Sequence, residues 1–253
     1  SRMLGSTFHS LVSVPANFRQ WKRLYDGFQH YRQTGETPEQ AYQSLIKLYC
    51  RTNGHANDFM HSIVARECPP RPIVDVSGVL GSLDQNGIGE IVDAIRHDGF
   101  FVIPGALSSE ICDRMSYFAK DHEAALYPPP SGELTHAVYN ADSPISAGYW
   151  FEEQTTIQSP DVQVLMADTS ILRVVQEYLG CEPIIDIVGM WWSVAASKRT
   201  SEEERNQLAQ LYHFDMNRIK WLKVLVYLTD VDADGGPHCF VKGTHKAGSQ
   251  PKD

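Results

Sequence analysis

Apolar residues recur at three- and four-residue spacing through Phe18, Trp21, Leu24, Phe28 and Tyr31, which puts them on one stripe of a helix interrupted at Gly35. Thr37-Pro38-Glu39-Gln40 then reads as a capping-box start with proline at the first helical position, leading into Tyr42, Leu45, Ile46 and Tyr49. Two packed helices are predicted, with their aromatic stripes serving as core. Cys68-Pro69-Pro70-Arg71-Pro72 breaks the periodicity, because prolines favour open backbone and deny donors, and marks a linker. Beyond it, Ile88, Ile91, Val92 and Ile95 predict a helix ending near Gly99. Phe100 to Ile103 predicts a short buried strand stopped by Pro104-Gly105. Ser108 is placed to cap a helix that turns Ile111, Met115 and Phe118 inward.

Tyr127 to Gly132 is a loop by composition, and the chain on to about Phe151 reads as irregular. A short helix is predicted from Ile171 to Leu179, closed by Gly180. Strands rich in β-branched and aromatic residues are predicted over Ile184 to Val194 and Trp221 to Leu228. Helices first and strands later make an α+β arrangement, divided into a helical extension over 1–68 and a β-rich domain over 69–253.

Composition narrows the class without changing that picture. The 253 residues are 42% hydrophobic and 21% charged, ordinary for a folded domain with a sizeable core. A formal net charge of −9 and the absence of any Lys/Arg run argue against nucleic acid as a partner. The five cysteines are scattered and form no C-x-x-C pair, which fits reduced thiols in a cytoplasmic protein. No apolar run approaches the ~18 residues of a membrane span, so membrane insertion is not expected. Gly-x-Ser-x-Gly, P-loop and dinucleotide fingerprints are all missing.

The sharpest chemical feature is His213-Phe214-Asp215. In a strand, residues i and i+2 share a face, so one imidazole and one carboxylate can meet a single metal. Two histidines and a carboxylate on one face of an octahedron leave open positions suited to Fe(II). On spacing alone, His-x-Asp is more often a surface pair than a metal site. Asp230 to Gly235 imitates the opening of an EF-hand loop, but its twelfth position is Val241, so a polar turn is the better reading. Trp191 and Trp192 should face opposite sides of their strand, with one free to line a cavity.

Context sharpens the His-x-Asp pair. Gln210 to Lys246, QLYHFDMNRIKWLKVLVYLTDVDADGGPHCFVKGTHK, resembles the phytanoyl-CoA dioxygenase family in its His-x-Asp pair, Leu-Thr-Asp-Val-Asp strand end, Gly-Pro turn and Gly-Thr-His-Lys. Upstream, His97 to Ser108 resembles the same family's opening strand and helix start, in the right order. The resemblance spans roughly Ile88 to Asp253. It implies a double-stranded β-helix, a cupin-like jelly roll with flanking helices, and an Fe(II)- and 2-oxoglutarate-dependent dioxygenase. Such an enzyme uses O2 to hydroxylate a small-molecule substrate, with release of succinate and CO2.

Two roles carry over directly, His213 and Asp215 as metal ligands. Asp in the second place favours hydroxylation over the halogenation seen where a small residue replaces it. The family pattern places its distal histidine ligand and 2-oxoglutarate arginine beyond the counterpart of Asp253, so a C-terminally incomplete core is expected. His245 is a weaker alternative as third ligand, and His238 weaker still. Lys223 and Tyr227, on alternate positions after the ligand pair, share a face with Trp221 and Leu225 and are candidates to reach 2-oxoglutarate. The competing readings are another metal-dependent jelly roll, disfavoured because His-x-His ligand runs are absent, and a catalytically inactive scaffold of the same family.

Overall fold

The computed structural model describes residues 14–129, 132–194, 202–207 and 210–249. The chain opens with three helices, α1 (Val14–Thr34), α2 (Glu39–Thr52) and α3 (His55–Glu67). Leu24, Leu45, Leu48, Ala56 and Met60 bury a common core with Trp21 and Phe28 against it. Phe18, at the head of the predicted stripe, is exposed instead. Gly27 lies where α1 meets α2, and a Cβ there would run into Ala41. Pro38 occupies the cap position of α2 rather than its first turn. No side chain caps it, so the expected Thr37 capping box is replaced by the Pro38 carbonyl accepting from Ala41 and Tyr42. Helix α3 was not expected. The elbow that launches it is built from Asn53 at φ +51° and Gly54 at φ +85°, and the Thr52 hydroxyl just before it accepts from the Ala56 N–H at 2.9 Å.

From Cys68 the proline-rich linker runs along the end of a later helix. It leads to a hairpin, β1 (Ser77–Gly78) and β2 (Gly81–Ser82), and then to α4 (Gln85–Asp98). Asp84 caps α4 through the Gly87 N–H, and Gly99 at φ +95° ends it. Ile88, Ile91, Val92 and Ile95 pack on Val174 of α8 (Thr169–Leu179), whose close at Gly180 is as predicted.

Between these lie α5 (Ser109–Lys120), capped by Ser108, the strands β3 (Glu123–Tyr127), β4 (His136–Val138) and β5 (Gly148–Trp150), and the short helices α6 (Glu153–Thr156) and α7 (Pro160–Met166). With β6 (Trp191–Ser193) they form an antiparallel sheet of order β4-β3-β5-β6. Ala124, Leu126 and Tyr149 on one face bury against Met115 and Ala119 of α5 and Val162 of α7. A last helix, α9, spans Glu202–Gln207.

Several expectations fail here. The stretch up to Phe151, read as irregular, contains β4 and β5. Phe100 to Ile103 forms no strand, and Phe101, Val102 and Ile103 are exposed. Of Ile184 to Val194 only Trp191–Ser193 enters a ladder, while Ile184, Ile185 and Ile187 face outward. Trp221 to Leu228 pairs with no strand, and Val224, Val226 and Tyr227 are exposed. β-Propensity expresses fit to neighbouring strands, so a run of β-formers stays unladdered where no partner lies alongside among the described residues. The observed architecture is a mixed helix and sheet fold with small antiparallel sheets and no closed barrel among the described residues. No described helix is long and apolar enough to cross a membrane.

Candidate metal centre

Residues 210–216 belong to no helix or ladder, yet the two side chains of the His-x-Asp motif converge. His213 Nε2 lies 3.5 Å from Asp215 Oδ1. The other ring nitrogen, Nδ1, is 2.7 Å from the Leu211 carbonyl, which can only accept, so Nδ1 carries a proton and Nε2 is the nitrogen turned toward Asp215. A backbone carbonyl holding the far nitrogen in this way is how metal-ligating histidines are oriented. Ligand atoms each ~2.1 Å from a shared ion at right angles stand about 3 Å apart, so the observed separation needs only a small adjustment. Among the described residues no group of three or more His, Cys, Asp or Glu side chains is placed to hold a metal.

Lys223 and Tyr227 come to the same region. Lys223 Nζ donates to Asp215 Oδ2 at 2.7 Å and sits 5.1 Å over the Trp221 ring, so it shares a side with Trp221 as alternation predicts. The Lys223 contact occupies the carboxylate oxygen that does not face His213. Tyr227 is tied to His238 twice: its oxygen accepts from the His238 backbone N–H at 2.9 Å, and its hydroxyl lies 2.6 Å from His238 Nδ1. Burial first, and then the Lys223 ammonium, push the His238 imidazole below its ordinary value, which keeps Nδ1 able to accept the phenol proton. His238, given least weight as a metal ligand, is held on Tyr227 instead. Its spacing from Tyr227 reflects a return of the chain that no local pattern reports.

His245 is placed differently. Its Nε2 bonds the Arg96 carbonyl at 3.2 Å in the last turn of α4, and it packs so closely on Gly99 that a Cβ there would come 2.7 Å from Nδ1. Burial lowers its pKa. This contact is part of a seam joining the two motif-bearing segments. Lys242 Nζ bonds Asp98 Oδ2 at 2.8 Å, the Gly243 N–H reaches the Asp98 carbonyl at 2.9 Å, and Phe100 stacks on Phe240 at 5.2 Å. Hydrogen bonds from Lys242 and His97 hold the Asp98 carboxyl below its usual range.

The N-terminal helices brace the segment following the motif. Ile219 packs into the core of α1–α3, and Asn57 Nδ2 donates to the Ile219 carbonyl at 3.1 Å. Lys220 donates to the Tyr178 carbonyl at the end of α8, where burial lowers its pKa. The Asn53 carbonyl accepts from Gly248 at 2.8 Å. Asp232 Oδ1 accepts from the backbones of Asp234 and Gly235, so the EF-hand-like stretch is a polar turn. Trp192 stacks on Tyr139 at 4.9 Å against the core, and Trp191 on Trp150 at 5.3 Å on the opposite face, as strand alternation requires.

Within this mixed helix and sheet fold the two side chains of His-x-Asp converge, and the opening segment is seamed to the Gly-Thr-His-Lys turn. Residues 95–253, well over half of the chain, match the model of the phytanoyl-CoA dioxygenase family, and the chain belongs to that family. At that level it is placed among Fe(II)- and 2-oxoglutarate-dependent oxygenases. Comparison with curated proteins and with solved structures returned no match.

Proposed function

We propose that this protein is an Fe(II)- and 2-oxoglutarate-dependent dioxygenase that hydroxylates a small-molecule substrate, releasing succinate and CO2. The observation that carries the reading is the convergence of His213 Nε2 and Asp215 Oδ1 at 3.5 Å, with the far nitrogen of His213 anchored on a backbone carbonyl. His213 and Asp215 are two ligands of a facial triad whose third member comes from outside the described residues. In this reading the jelly roll is completed around the sheet of β3 to β6. When bound, the iron with 2-oxoglutarate supplies the oxidation of the substrate by O2.

The chain's own residues prepare the site. The Leu211 carbonyl fixes the His213 tautomer. Lys223 orients the Asp215 carboxylate and, with Tyr227, offers a cation and a phenol to the acidic co-substrate. Asp215 in the carboxylate position favours hydroxylation over halide transfer. A second reading, an inactive family member, draws on the Lys223–Asp215 ion pair, which would persist if no metal bound.

Anaerobic titration with Fe(II) and 2-oxoglutarate decides between them. The visible charge-transfer band of the chelate is expected in the wild type and absent in His213→Ala and Asp215→Ala. A folded protein of verified mass with no band and no 2-oxoglutarate turnover under air would refute the oxygenase reading and leave the inactive one.

A further inference from the structure

Two of the cysteines meet where the N-terminal helices join the rest of the chain. Cys68 closes α3, with its N–H on the Val64 carbonyl at 2.8 Å, and Cys181 follows Gly180 at the end of α8. The Cys68 carbonyl accepts from the Glu182 N–H at 3.0 Å, so the backbones of the two cysteines are neighbours. Backbone segments bonded side by side stand about 5 Å apart. That falls inside the roughly 4.4–6.8 Å between α-carbons that a disulfide spans. The contact is clamped from beyond as well. The buried Gln176 side chain accepts from the Arg71 N–H at 3.0 Å and donates to the Arg71 carbonyl at 2.7 Å, while Arg71 Nε pairs with Glu182 Oε1 at 2.8 Å. Linker and helix end are thereby held against each other.

We propose that Cys68 and Cys181 are a thiol pair that hydrogen peroxide closes to a disulfide, stapling the N-terminal helices to α8. Cys68 is half-buried and is the sulfur that peroxide reaches, whereas Cys181 is only 7% exposed. Burial first, and then the neighbouring Cys68, raise the Cys181 thiol above its ordinary value, so it rests protonated and unreactive. Lys220 acts in the opposite direction and favours the thiolate when Cys181 attacks. Peroxide transfers one oxygen to the Cys68 thiol, giving a sulfenic acid and one water. The Cys181 sulfur then displaces the hydroxyl to form the S–S bond, and the Cys181 proton leaves with that hydroxyl as a second water. The two thiols lose two electrons together, and one peroxide is reduced to two waters. The bond fixes the end of α3 to the end of α8. Those helices hold the stretch just past the His-x-Asp motif, since Asn57 of α3 donates to the Ile219 carbonyl and the Tyr178 carbonyl of α8 accepts from Lys220. Oxidation therefore stiffens the support of the candidate metal centre, and the disulfide forms whether or not that centre takes iron.

The test treats the full chain with a small excess of hydrogen peroxide, blocks remaining thiols with N-ethylmaleimide, and maps tryptic peptides without reduction by mass spectrometry. The peptides carrying Cys68 and Cys181 are expected to appear joined, two hydrogens lighter than their sum, and to separate in dithiothreitol. The oxidised protein is expected to melt about 5–10 °C higher than the reduced one, the rise a disulfide closing a long loop implies in a chain of this size. Cys68→Ser, at a half-buried position, is expected to lose both the joined peptide and the rise in Tm. In Cys181→Ser the sulfenic acid has no partner, so Cys68 is expected to take up dimedone several-fold more than in wild type. Both thiols still open to N-ethylmaleimide after peroxide, a link from either to a different cysteine, or a joined pair with an unchanged Tm would each overturn the proposal.

Discussion

Asp168 joins the β1–β2 hairpin to α8, and its removal has consequences that can be worked from its contacts. The residue is 8% exposed. Its Oδ2 accepts from the Val79 N–H at 2.8 Å, and its Oδ1 accepts from the Ile171 N–H at 3.0 Å and from the Ser170 hydroxyl. Asp168→Ala removes an N-cap worth about 1 kcal/mol. It also strands the Val79 N–H and the Ser170 hydroxyl, at about 1 kcal/mol or more each. The expected loss is about 3 kcal/mol, a drop of roughly 1–1.5 M in the urea midpoint for a slope of about 2–3 kcal/mol/M.

The same site predicts a pH dependence. Burial by itself raises the Asp168 carboxyl, but the hydrogen bonds from Ser170, Ile171 and Val79 outweigh it and hold the group below its ordinary value. A depressed folded pKa means that the stabilisation is complete above the unfolded value of about 3.9 and is lost as pH falls through the folded value. Asp168→Asn does not titrate. Its deficit relative to wild type should therefore be constant above about pH 5 and shrink progressively below pH 4. Urea unfolding followed by circular dichroism at several pH values measures this gap. A gap that stays the same from pH 7 to pH 3 would show that the carboxylate charge contributes nothing, and the argument from its contacts would fail.

Other outcomes follow from packing and from the site. Gly27→Ala gains up to about 1 kcal/mol of helix propensity but forces α1 off Ala41, an overpacking cost of about 1–3 kcal/mol, so a net loss in thermal stability is expected. Leu48→Ala, at a fully buried position in the cluster that takes in Ile219, should cost about 2–5 kcal/mol in chemical denaturation. Lys223→Met removes a charge that depresses His238, so NMR titration should find the His238 pKa closer to its ordinary value than in wild type. An unchanged or lower value would contradict the placement of Lys223. Because the folded pKa of His238 is depressed, its contribution to stability is present above about pH 6.5 and lost as pH falls through the folded value.

The helices α1, α4, α5 and α8 were legible from apolar spacing and caps, since hydrogen bonds between residues four apart make a helix a local object. The elbow at Asn53-Gly54 and the helix after it were not anticipated, although Asn-Gly marks a turn and the Thr52 hydroxyl beside it accepts from the Ala56 N–H. The strands divided differently. The composition of Trp221 to Leu228 suits a sheet, but a ladder needs a neighbour, and only the fold decides which β-prone runs find one. At the site, sequence alone determined the residue types and the spacing of His213 and Asp215, and with them the kind of metal chemistry to expect. Tertiary structure decided the Leu211 carbonyl that sets the imidazole, Lys223 on the far carboxylate oxygen, His238 on Tyr227 and the seam from Asp98 to Lys242. Composition and spacing are properties of neighbours along the chain. Those contacts join residues up to 144 positions apart, and only the folded path brings them within reach.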